Sequence, residues 1–84
     1  MMREQAQELG KAIAIDLFVS MLNPDNRGPS FTWERLAGMA EQMAAVHVPM
    51  IQGNEKMKTI ARESARRTAE RCLRDSAVQE WMPL

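Results

Sequence analysis

The chain reads as an all-α protein, a compact three-helix bundle, and three observations predict it. Apolar residues recur at three- and four-residue spacing along most of the 84 residues. Prolines, glycines and Asn/Asp residues gather in two short breaks, Asn23–Ser30 and Val48–Asn54, which part the sequence into three helical segments. The one β-branched run, Ile13–Val19, has no second strand to pair with.

The first helix is expected over about residues 3–22. Glu4, Gln5, Ala6, Gln7 and Glu8 are good helix formers, and acids in the first turns suit the positive end of the helix dipole. Gly10 weakens the helix by about 1 kcal/mol relative to alanine, unless it marks a place of close backbone packing. From Ala12 to Leu22 only Asp16 and Ser20 break an apolar run, and it is apolar on two sides. Leu9, Ile13, Leu17 and Met21 make one stripe; Ile15, Phe18, Val19 and Leu22 make another. A helix of this kind needs a neighbour on each side, and a second copy of so short a chain could supply one. Asn23-Pro24 ends the helix, because the residue before proline disfavours the α region.

The second helix is expected over about residues 33–48. Thr32 stands as N-cap, with Phe31 and Leu36 at staple positions around it. Trp33, Leu36, Ala40, Met43, Ala44 and His47 share its apolar face, and Pro49 ends it. The connector that follows is oddly apolar at Val48, Met50 and Ile51. Asn54 caps a third helix, about residues 55–80, whose inner face is small: Met57, Ala61, Ser64, Ala65, Thr68, Cys72 and Ser76. The tail turns apolar again at Trp81 and Met82.

The totals bound what such a chain can be. Residues 1–84 make one domain, and area scaling puts about 60–65% of the unfolded surface inside, enough for one small core. Domains of this size are marginal alone, and association is a common remedy, so a homodimer is expected. Eleven bases balance eleven acids, so no overall field draws the chain to nucleic acid or to an anionic membrane. Cys72 is the only cysteine, which excludes an internal disulfide. The polar N-terminus lacks the basic stretch of a secretion signal, and the apolar run is about half a membrane span. A soluble, cytoplasmic protein without a membrane partner is the expectation.

Chemistry is hard to place in it. His47 is the only histidine, and it and Cys72 cannot assemble a zinc site between them. His47 fits a helix-end residue bonded to a terminal carbonyl, partly buried. Cys72, among small residues, fits a buried structural thiol. Ser20, Ser30, Ser64 and Ser76 have no glycine-flanked elbow, no glycine-rich loop follows a strand, and no acidic loop has calcium spacing. No catalytic residue, cofactor site or metal site is therefore expected, and the chain is not read as an enzyme.

Two function classes remain. The first is a non-catalytic protein-interaction module: a regulator, adaptor or inhibitor. Its contact would be Ile15, Phe18, Val19 and Leu22, with Met50 and Ile51 or Trp81 and Met82. Small neutral proteins of this size are common among phage and mobile-element regulators, an analogy of class and not of family. The second is a helical nucleic-acid binder using Lys58, Arg62, Arg66, Arg67, Arg71 and Arg74. Against it, Glu63/Arg67, Arg66/Glu70, Glu70/Arg74 and Arg71/Asp75 stand four apart, where opposite charges pair, and no aromatic among these bases could stack a nucleotide. A helix-turn-helix is weaker still, because the turn holds Pro49 and leads into a very long helix.

Overall fold

Helix α1 spans Arg3–Met21, α2 Leu36–His47 and α3 Glu55–Asp75 in the computed structural model, which describes residues 2–48 and 55–75. Each helix packs against the other two, and no strand occurs among the described residues. The expected three-helix bundle is therefore what forms. Residues 76–80 of the expected third helix lie outside the described residues, as do Met50, Ile51, Trp81 and Met82.

α1 and α3 run in the same direction. The Ser64 hydroxyl, midway along α3, donates a hydrogen bond at 2.6 Å to the carbonyl of Gln7 in the second turn of α1, and Phe18 and Asp75 line one recess near the two C-terminal ends. Between those ends the two helices meet through small residues. Ala6, Gly10 and Ala14 stand four apart on α1; Ala61, Ala65 and Ala69 stand four apart on α3; all six are buried. Gly10 is the point of nearest approach. A Cβ there would run into the Ala61 carbonyl and lie 2.9 Å from the Ala65 amide nitrogen and 3.0 Å from Ser64 Cβ. The backbone-packing reading of this glycine is the correct one.

Larger side chains fill the space under α2. Leu17, Phe18, Trp33, Leu36 and Val48 are buried there with alanines 37, 40 and 44. Two expectations for the second helix are corrected. Met43 and His47 are exposed, and Ala37 and Val48 take the inner positions instead. The buried positions of the helix centre on Leu36, Ala37, Ala40 and Ala44, so Met43 falls at the edge of that arc and His47 at the helix end. Trp33–Arg35 winds as a tight 3₁₀ turn, with the Arg35 amide donating to the Thr32 carbonyl at 3.0 Å, so the α-helical register begins only at Leu36. The Thr32 side chain makes no capping bond. On α3 the expected inner face gains Ile60 and Ala69, both buried, and Leu73, which is half-buried.

The loop after α1 serves as its cap. The last turn of α1 carries no base, and Arg27 supplies one from outside. Its Nε donates to the Met21 carbonyl at 2.7 Å and its Nη2 reaches the Leu22 carbonyl at 3.4 Å. Asn26 Nδ2 donates to the Ser20 carbonyl at 2.8 Å. The Arg27 guanidinium also lies 5.0 Å from the centre of the Trp33 ring and 6.0 Å from that of Phe31, while those two rings meet edge to face at 5.1 Å. Among the described residues the buried indole N–H of Trp33 has no hydrogen-bond partner. An orphaned donor costs about 1–3 kcal/mol, against about 4–6 kcal/mol for burying the ring, so the tryptophan still favours the fold.

Two substitutions test this architecture. In an exposed helix Gly→Ala would stabilise by about 1 kcal/mol, but Gly10→Ala should destabilise by about 2–3 kcal/mol in urea unfolding, because the backbone of α3 cannot yield to a methyl group. Arg27→Ala should cost about 1–2 kcal/mol and change tryptophan fluorescence in the folded state, since one guanidinium serves both cap and ring.

Candidate functional site

The close α1–α3 contact leaves a groove along the seam, on the side away from α2. The two sides of α3 are told apart by its own bases. Arg66 reaches across to pair with Glu41 of α2 and lies 3.7 Å from Glu70. Arg67, the next residue and about 100° further round the helix, turns to the α1 side with Arg71.

Toward the N-terminal half of α1 the groove is polar and basic. Arg3 and Lys11 from α1 and Arg67 and Arg71 from α3 line a cavity of about 280 Å³ over Ile60, Ser64 and Thr68, with Gln7, Glu8 and Glu63 completing it. None of those four bases has a carboxylate within 4 Å among the described residues. The Glu63/Arg67 and Arg71/Asp75 pairs expected from spacing do not close, nor does Glu70/Arg74. Arg66/Glu70 does, and Lys58 pairs with Glu55 at 3.5 Å.

Toward the C-terminal half the groove turns apolar. Lys11, Thr68 and Arg71 also border the next cavity, about 350 Å³, which continues onto Ile15, Phe18, Cys72 and Asp75. Cys72 is half-buried, and burial pushes its thiol pKa up, with the negative charge of Asp75 adding to the rise and Arg71 opposing it. A thiol so placed is a poor nucleophile near neutral pH.

The residues expected in a protein contact divide between core and surface. Phe18 is only 9% exposed and sits 5.9 Å, centre to centre, from the Trp33 ring, so it belongs chiefly to the core. Leu22 is half-buried. Ile15 and Val19, one turn apart, are 38% and 58% exposed. The six bases expected to line a nucleic-acid face are likewise divided, Arg66 toward α2 and Arg67 and Arg71 toward α1, with Arg74 3.7 Å from Asp75. Arg3 and Lys11 did not enter the sequence reading, which took the bases of α3 alone. The signal that could have found them is the Gly10/Ala61/Ala65 contact, which sets the two helices side by side.

His47 is exposed rather than partly buried, and its Nδ1–H donates to the Met43 carbonyl at 2.8 Å as a helix-end histidine does. Among the described residues no three His, Cys, Asp or Glu side chains gather as metal ligands, and no helix is long and apolar enough to cross a membrane. No family model matches the chain, and no curated protein or solved structure matches it either.

The thiol offers a pH test. Cys72 should react with iodoacetamide more slowly than a free peptide thiol at pH 8, and the gap should narrow as pH rises. Because its pKa is raised in the folded state, the thiol's contribution to stability is complete below the pKa of the unfolded chain and is lost as pH climbs through the folded value.

Proposed function

We propose that this protein is a non-catalytic interaction module, a small cytoplasmic regulator, adaptor or inhibitor that acts by binding another protein through the outer face of α1. One observation carries the reading: Ile15 and Val19 lie exposed beside the apolar recess of Phe18 and Cys72. A single exposed aliphatic residue is ordinary on a protein surface. Two in line on the helix that forms both sides of the core, next to a recess, make a continuous apolar strip of the kind that protein contacts cover. The same strip suits self-association, α1 against α1, in which each copy covers the other's Ile15 and Val19.

Solution mass by light scattering, across micromolar to millimolar protein, tests the reading. The wild-type chain should show a dimer that Ile15→Asp and Val19→Asp each return to monomer, with thermal unfolding little changed because both side chains start out exposed. If the two variants match the wild type both in self-association and in their binding of protein partners, the outer face of α1 is not the contact.

A second reading, nucleic-acid binding, is favoured by the meeting of Arg67 and Arg71 with Arg3 and Lys11. It requires appreciable affinity for random duplex DNA that falls steeply with salt, with a log–log slope of about −3 to −4 for four phosphate contacts.

A further inference from the structure

The basic and apolar stretches of the α1–α3 groove are parts of one surface, joined through Lys11, Thr68 and Arg71. We propose that the groove seats an amphipathic helical segment of a partner protein, acidic where it meets Arg3, Lys11, Arg67 and Arg71 and apolar where it meets Ile15 and Phe18. This rests on the interaction-module reading and names the chemistry of the partner.

Charge complementarity is the first ground. Four bases and two acids line the basic half of the groove in a chain of zero net charge, and none of the four bases is paired within 4 Å among the described residues. Arg67 and Arg71 stand one turn apart on one helix, where like charges repel. Carboxylates brought in by a partner would turn that repulsion into attraction and fix the partner's register.

The apolar continuation is the second ground, and it separates a peptide from a nucleic acid. A phosphate backbone would find nothing to bury in the recess of Ile15, Phe18 and Cys72. A helix with acids in one half and leucines in the other satisfies both stretches at once. Shape agrees. The groove lies between two helices running the same way, on the side that α2 leaves open, so a helix laid in it completes a four-helix arrangement.

Synthetic helical peptides of about 18 residues, about 27 Å long when folded, serve as probes. One face carries glutamates in one half and leucines in the other, made in both chain directions, with matching sets in which glutamine or lysine replaces glutamate. Titration by fluorescence anisotropy against the full-length protein should give saturable binding of a glutamate peptide, weakened at least about tenfold by the glutamine change. The double variant Arg67→Glu/Arg71→Glu should lose the glutamate peptide by a similar factor and gain the lysine peptide, an exchange that a misfolded variant could not show. Ile15→Asp should weaken both pairings from the leucine end.

Three results overturn the proposal. If glutamate and glutamine peptides bind alike and Ile15→Asp still abolishes binding, the acidic partner is wrong while the interaction face on α1 stands. If duplex DNA binds with steep salt dependence and Arg67→Glu/Arg71→Glu removes it, the groove belongs to nucleic acid. If no probe binds at millimolar concentration, an acidic–apolar helix is not the occupant, and the dimer measurement alone judges the α1 face.

Discussion

Where α1 crosses α3 at Gly10, the two backbones come so close that no side chain, not even a methyl group, fits between them. The small residues to either side keep that distance along the seam: Ala6 and Ala14 on one helix, Ala61, Ala65 and Ala69 on the other. Alanines bury little area each. They bring backbone atoms into dispersion contact instead, and they let Ser64 bond directly to a carbonyl of the neighbouring helix. Eight of the fourteen buried apolar residues among those described are alanine, so much depends on this contact being tight.

A tight seam sends the bulky residues elsewhere. Phe18, Trp33, Leu36 and Val48 are buried in the part of the core beside α2. The far end of α1 is closed by Arg27, which neutralises the last carbonyls of the helix and lies over the indole of Trp33. One loop residue thus joins the helix dipole to the aromatic cluster. That explains why a loop rich in proline, glycine and asparagine holds a fixed place against the bundle.

The seam also makes the groove. Two helices in near contact and running the same way place their outward-leaning side chains along a common channel, so Arg3 and Lys11 of α1 come beside Arg67 and Arg71 of α3. Neither pair is conspicuous alone. In sequence the bases of α3 look like one continuous face balanced by acids four residues away. In space Arg66 leaves that face for Glu41 of α2, and Arg67 leaves it for the α1 side. Helical spacing parts Arg66 from Arg67, but which neighbouring helix each side meets is decided only by the packing.

Local pattern was enough to determine the class of fold, the three helical segments and their breaks. Periodicity, the residue before Pro24 and the loop composition act within a few residues of chain, where a sequence can be read directly. Gly10 was legible only as an alternative, a weak point or a close contact, because the residue that decides it lies 51 positions away at Ala61. The second apolar stripe of α1 was legible as an excess but not in its division. That Phe18 goes inward while Ile15 and Val19 remain outside depends on where Trp33 and the other helices sit. The register of α2, the Arg27 cap and the basic groove are likewise tertiary. Each depends on a loop path or a helix pairing, and those follow from which surfaces fit most closely in three dimensions.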